Sequence, residues 1–186
     1  MGWPVLHHRD CLEGFDEAVG GVVTDPSHHS LTLVAQLGRR EAAAILPARH
    51  LRDEDRPALA HAMLEAYRGG FDDPDMTMAD VEGHLRKFFD SGIATPLLDC
   101  SFVALDEGRI VAATQVCLDE GRPLLARAYT VPSWQNRGLA RALIQLCENA
   151  LLERGEQLMS LIVKVGNLPA RHLYESMGFV FERGTE

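Results

Sequence analysis

Gln135-Asn136-Arg137-Gly138-Leu139-Ala140 is the stretch on which the fold turns. Before it runs a segment of strand character, Leu124 to Val131, closed by Pro132-Ser133. After it, Leu139, Leu143, Leu146 and Ala150 recur at helical spacing in a run that the pattern carries from about Asn136 to Arg154. The first amides of a helix have no internal partners and point outward, and the helix dipole adds to their pull on an anion. Gly138 carries no Cβ, so a diphosphate can approach the backbone, and Ala140 keeps the next turn almost as open. Arg137 and Arg141 can add charge-assisted contacts. Alone, the pattern fits either an anion site or a structural turn, since the Walker lysine and the full dinucleotide fingerprint are both missing.

Working back towards the N-terminus, Ser101 to Leu105, Ile110 to Leu118 and Leu124 to Val131 form a three-stranded meander. Tight turns at Asp106-Glu107-Gly108-Arg109 and Glu120-Gly121-Arg122-Pro123 separate its strands. Two helices are expected before it. One starts at Asp53, a candidate N-cap, and ends near Gly69-Gly70; the other begins between Thr77 and Asp80 and carries Val81, Leu85, Phe88 and Phe89 inward. Ala44 to Arg49 reads as a strand, and Gly20 to Thr24 with Leu31 to Val34 as two short strands that either extend the sheet or cover it. Beyond the long helix, which Gly155 ends, Leu158 to Val165 alternates as a strand does. Asn167 to Met177 follows as a helix and Phe179-Val180-Phe181 as a final strand.

The last helix carries a second informative block, Gly166-Asn167-Leu168-Pro169-Ala170-Arg171-His172-Leu173-Tyr174-Glu175-Ser176-Met177-Gly178-Phe179. Asn167 suits an N-cap whose first turn tolerates Pro169, and Gly178 suits a left-handed C-cap. With both blocks in this order, after a meander ending Thr130-Val131-Pro132, the chain resembles the GNAT family of N-acetyltransferases. The resemblance covers about residues 42–183. It divides the chain into an N-terminal extension, 1–40, holding the candidate hairpin, and a domain over 41–186.

The resemblance implies an α/β fold with a mixed, mostly antiparallel central sheet, flanked by helices and splayed open at a cofactor cleft. It implies acetyl-CoA as cosubstrate and direct attack of an amine on the thioester. The pantetheine arm would lie along the backbone of Tyr129, Thr130 and Val131, and the diphosphate on Gln135, Asn136, Arg137, Gly138, Leu139 and Ala140, with Arg141 close by. Asn167 resembles the asparagine that hydrogen-bonds the cofactor arm. Tyr174 resembles the tyrosine that protonates the departing thiolate; by residue type alone it is equally a packed aromatic. An attacking amine must shed a proton. The strand from Leu124 to Val131 offers Arg127 where the family often has a carboxylate. Asp72, Asp73, Asp75 and Glu65 qualify as bases by location only, and none is assigned. A GNAT-like module that binds acyl-CoA without turnover is the alternative.

The 186 residues suit one well-cored domain, and 46% hydrophobic with 24% charged residues is ordinary globular usage. A net charge of −9 argues against nucleic acid as a partner. Residues 1–120 carry a net −11 and residues 121–186 a net +2, so phosphates would favour the second part and a cationic substrate the first, unless these are simply solvated faces. No apolar run suggests a membrane span, nothing marks the chain for export, and a cytoplasmic location is expected. Cys11, Cys100, Cys117 and Cys147 are spaced as free thiols, the last three as buried apolar residues rather than nucleophiles. His7-His8 and His28-His29 read as loop residues and no metal is expected. A homodimer through the extension or an exposed strand is compatible with the pattern.

Overall fold

The computed structural model describes residues 29–90, 92 and 94–182. In chain order its strands are β1 (Ser30–Gln36), β2 (Ala48–His50), β3 (Thr95–Pro96), β4 (Phe102–Asp106), β5 (Arg109–Asp119), β6 (Arg122–Thr130), β7 (Leu158–Lys164) and β8 (Val180–Phe181). The helices are α1 (Arg56–Tyr67), α2 (Met78–Asp90), α3 (Leu139–Glu153) and α4 (Leu168–Ser176). The strands form one sheet in the order β2-β4-β5-β6-β7-β1-β8, with β3 paired to the far end of β5. Every described pairing is antiparallel except β6 with β7. The expected mixed, mostly antiparallel sheet flanked by helices is the fold.

The meander forms for local reasons. Glu107 and Gly108, then Glu120 and Gly121, all take positive φ, the backbone that two-residue hairpin turns require for right-twisted strands. β5 is buried continuously from Ile110 to Cys117 because helices cover both of its faces. Residues opposite each other on antiparallel strands share a face, so Ala113 and Gln115 lie with Tyr129 and Arg127, whereas Thr114 lies with Ala128. α1 covers the first face, its Tyr67 ring 6.0 Å from that of Tyr129. α3 covers the second, where the Cys147 thiol donates to Thr114 Oγ1 at 3.1 Å.

Several sequence expectations shift in detail. α3 begins at Leu139 rather than Asn136, because Asn136 (φ 58°) and Gly138 (φ 82°) are left-handed and cannot start a right-handed turn. Its buried face is centred on Leu139, Leu143, Ile144, Cys147 and Leu151, while Leu146 and Ala150 lie at the margin. The strand expected over Ala44 to Arg49 is confined to Ala48–His50. Asp53 falls within a 3-10 turn (Asp53–Asp55) ahead of α1, so Asp55 stands at the N-cap position. The expected strand at Gly20 to Thr24 lies outside the described residues, as do Cys11, His7, His8 and His28. Its partner became β1, which extends the sheet by pairing with β7 along its whole length and with β8 on its other edge.

From β1 the chain crosses α3. The Arg40 N–H donates to Asn149 Oδ1 at 3.0 Å and Asn149 Nδ2 returns a bond to the Arg40 carbonyl at 2.8 Å. The Arg40 guanidinium pairs with the fully buried Glu148 at 2.9 Å and donates to the Met177 carbonyl at 2.8 Å. Burial pushes the Glu148 carboxyl up, against the pull of Arg40. Among the described residues, no helix is long and apolar enough to cross a membrane.

Candidate active site in the sheet splay

β6 and β7 run parallel only at Leu124 with Ser160 and Leu125 with Leu161. On its β5 side, β6 shifts register next: Leu125 faces Val116 and Arg127 faces Gln115, so Ala126 is an extra residue. Such a bulge bends a strand and increases its twist. From there β6 stays on β5 up to Thr130 but leaves β7, and the edge of Arg127 to Thr130 that would have faced β7 is left open. The family resemblance implies a gap after the strand ending at Val131; in the structure the strands part earlier, after Leu125, next to the bulge at Ala126, which the residue pattern does not reveal.

The chain leaves this edge through Val131 and a 3-10 turn (Pro132–Trp134) into the stretch 135–140. The first intrahelical bond of α3 runs from Ala142 N–H to the Gly138 carbonyl at 3.0 Å, so the helix itself provides no partner for the amides of Leu139, Ala140 and Arg141. These amides and the positive end of the helix dipole lie directly beyond the open edge. Gln135 Nε2 donates to the Thr130 carbonyl at 3.1 Å, tying the loop back to the strand. The Arg137 guanidinium stacks on Trp134, 4.4 Å from its ring. Arg141 donates to Ser176 Oγ at 2.6 Å, joining the first turn of α3 to the end of α4. Ile45, in the segment after β1, closes one side: a Cβ on Gly138 would meet its Cδ1 at 3.2 Å.

α4 lies across the gap. Asn167 caps it as expected, Oδ1 accepting from the Ala170 N–H at 3.2 Å, while Nδ2 donates to Asp72 Oδ2 at 2.8 Å. Tyr174, the one buried residue of α4, is 9% exposed and packs edge-on against Phe179, with ring centres 5.8 Å apart. Burial, then the nearby Tyr67 and Asp72, pushes its phenol upward, so it keeps its proton at neutral pH. A phenol that stays protonated can donate.

Facing α4 from the α1 side is a set that sequence reasoning found only in part. The α1–α2 loop is held to β7 by Lys164 Nζ, which donates to the Asp72 carbonyl at 2.8 Å. Burial raises the Asp72 carboxyl, with Lys164 and Asn167 opposing it. Burial also raises Tyr67, whose hydroxyl has Arg127 as a hydrogen-bond partner. His84 of α2 is pushed down to about 4, mainly by burial and then by Arg127 and Lys87, so it is neutral at pH 7. Gln115 is fully buried and Tyr129 nearly so, and neither the Gln115 amide nor the Tyr129 hydroxyl has a hydrogen-bond partner in the protein. Leaving such groups unmet costs roughly 1–3 kcal/mol each. A polar group brought to this face of the sheet would be welcomed there. Tyr67, His84 and Lys164 carry no motif of their own, and only their position around the splay marks them.

The other base candidates separate by environment. Glu65 forms an ion pair with Arg109 near the surface. Burial raises the Asp73 carboxyl, Asp80 and Asp75 add to the shift and Lys164 opposes it, and its side chain has no bond to α4 like the one Asp72 makes to Asn167. Cys100, Cys117 and Cys147 are buried free thiols, each pushed up to about 12, mainly by desolvation, which suits packing and not nucleophilic attack. Among the described residues no group of three or more His, Cys, Asp or Glu could hold a metal ion.

The family model described as the acetyltransferase (GNAT) family matches residues 57–179. A curated relative, the [ribosomal protein bS18]-alanine N-acetyltransferase of Escherichia coli (strain K12), is 41% identical over 68 residues, or 37% of this chain and 45% of the relative. The chain thus spans about half the length of the curated relatives it matches. Among solved structures, a GCN5-related N-acetyltransferase from Sphaerobacter thermophilus superimposes with a TM-score of 0.64 at 19% identity, over 82% of this chain and 48% of that one. The PaiA N-acetyltransferase from Thermoplasma acidophilum, in complex with coenzyme A, gives 0.58 at 17% identity over 75% and 92%. At these identities the structural likenesses establish the fold.

Proposed function

The chain belongs to the acetyltransferase (GNAT) family, whose members use acetyl-CoA, and we propose that it transfers the acetyl group of acetyl-CoA directly to an amine. The observation that carries this reading is the parting of β6 from β7 after Leu125, directly before a left-handed glycine at the N-terminus of α3. An open strand edge suits the amide-bearing pantetheine arm, which would lie along Tyr129, Thr130 and Val131 and pair with the backbone groups facing the gap; the Val131 N–H itself faces the other way, donating to the Val111 carbonyl at 2.9 Å. One acceptor there, the Thr130 carbonyl, is already engaged by Gln135. The diphosphate would rest on the turn formed by Gln135, Asn136, Arg137 and Gly138 and on the amides of Leu139, Ala140 and Arg141. Asn167, which now bonds Asp72, would offer its amide to the arm.

Tyr174 is assigned the acid. Thiolate leaves more readily when a donor within reach quenches its charge, and a buried, protonated phenol suits that task. Direct transfer agrees with the absence of an activated thiol among Cys100, Cys117 and Cys147. The acceptor is an amine of a small molecule or of a peptide, and it enters from the α1 side, past the acidic α1–α2 loop.

Thiol release from acetyl-CoA, followed across a panel of small amines, lysine peptides and peptides with a free N-terminal alanine, tests the proposal. Amine-dependent release above the hydrolytic background is expected. Coenzyme A binding without release for any amine would instead mark a binding module.

A further inference from the structure

An amine is mostly protonated near pH 7, and its ammonium form has no lone pair with which to attack. If the chain is an acetyltransferase, something in the splay must take that proton. β6 offers Arg127 at the position facing Gln115, and a guanidinium does not serve as a base. His84 is buried beside Arg127 and Lys87, whose positive charges disfavour both an incoming ammonium and the imidazolium that taking its proton would create. Glu65 is neutralised by Arg109.

Asp72 differs from all of these in what surrounds it. Its main chain is anchored to Lys164 of β7 and its carboxylate to Asn167 at the head of α4, so it is fixed across the mouth of the splay. Its charge is felt by both Tyr67 of α1 and Tyr174 of α4, so it lies near the assigned acid as well as near α1. The charged or polar groups facing it are Lys164 from β7, Asn167 and Tyr174 from α4, Tyr67 from α1, and Asp73 from its own loop. We propose that Asp72 receives the acceptor amine in this chain, pairing with the ammonium and taking its proton, in place of a carboxylate on β6.

Resting on the acetyl-transfer reading, the step balances as follows. The ammonium gives one proton to Asp72, which passes it to water. The amine nitrogen forms its bond to the thioester carbonyl carbon and the carbon–sulfur bond breaks. The thiolate takes the proton of Tyr174, and the second proton shed by nitrogen restores the phenol. Burial already lifts the Asp72 carboxyl above its ordinary range, towards values at which a carboxylate accepts a proton more readily.

Asp72→Asn tests this, because an asparagine oxygen can still accept the bond from Asn167 while the charge and the basicity are gone. With the best amine from the panel, D72N should lower kcat/KM on the order of 100-fold or more and erase the acidic limb of its pH profile, with coenzyme A affinity within about twofold of the wild type. Asp72→Glu should restore part of the rate together with the acidic limb. Asn167→Ala, which removes the tether but keeps the carboxylate, should weaken coenzyme A binding and leave the limb in place. D72N turnover within about threefold of the wild type, with an unchanged profile, would overturn the proposal. So would matching losses of coenzyme A affinity and turnover in D72N and N167A, since Asp72 would then act only by holding Asn167. A wild type that binds coenzyme A but acetylates no amine removes the acetyl-transfer reading itself, and the assignment of Asp72 falls with it.

Discussion

Gly138→Ala probes the loop where fold and function meet. Gly138 stands at the N-cap of α3 with φ 82°, a conformation that costs an L-residue roughly 1–2 kcal/mol. Alanine recovers about 0.4–1 kcal/mol of that by restricting the unfolded chain, so the net loss from the backbone alone is about 1 kcal/mol. The added Cβ would lie 3.2 Å from Ile45 Cδ1, a tight contact with the tip of a flexible side chain that can yield by a few tenths of an ångström. For a chain of this size that total corresponds to a Tm lower by about 2–4 °C. The effect on ligand should be larger. A methyl group on the turn that admits the diphosphate is expected to weaken coenzyme A binding about tenfold, or about 1.4 kcal/mol, measured by calorimetry well below the Tm. Ile45→Ala in the same background relieves the side-chain contact but not the backbone strain, so the double variant should regain little Tm and little affinity. An alanine variant that melts and binds coenzyme A like the wild type would refute both the strain argument and the placement of the diphosphate.

Two further substitutions read other parts of the account. Tyr174→Phe keeps the packing against Phe179 and removes the proton, so kcat should fall by about 10²–10⁴-fold with coenzyme A affinity nearly unchanged; equal losses in both, or none, count against the acid role. Arg40→Met leaves the Glu148 carboxylate buried without its cation, at a cost of about 1–3 kcal/mol, below the full buried-pair range because the Arg40 side chain is 38% exposed. The carboxyl of Glu148 is raised in the folded protein, so its protonated form contributes stability that is complete below the unfolded-state value and lost as pH rises through the folded one. Urea denaturation should therefore show the Arg40→Met deficit shrinking as pH is lowered into the carboxylate range, and a deficit independent of pH would argue against an ionised Glu148.

The parts of the fold that local chemistry dictates could be read from the residues. The two hairpins follow from Glu-Gly turns, α4 from the Asn167 cap and Gly178, and the left-handed turn into α3 from Gly138 ahead of an amphipathic helix. Where long-range pairing decides, the pattern was silent. Leu31 to Val34 looks like a strand, yet nothing local says that β1 lies between β7 and β8. Left-handed backbone at Asn136 is tolerated by asparagine but not required by it, so the start of α3 was placed three residues early. The splay was legible as a site only through two separated blocks. The side proposed for the acceptor draws on Tyr67, Asp72, His84, Arg127 and Lys164, from five elements and loops. Of these the sequence offered Asp72 among several carboxylates, and Arg127 as a departure; what singles out Asp72 is its contact with Asn167 across the gap.

The central claim is that one molecule of acetyl-CoA lies along the open edge of β6 with its diphosphate on the N-terminus of α3. Hydrogen exchange of the backbone amides with and without coenzyme A tests it most directly. Slowed exchange is expected at the open-edge amides of Ala128 and Thr130 and from Arg137 to Arg141, with the rest of the sheet little changed. Protection confined to other segments, or none at coenzyme A concentrations that saturate binding, would contradict it.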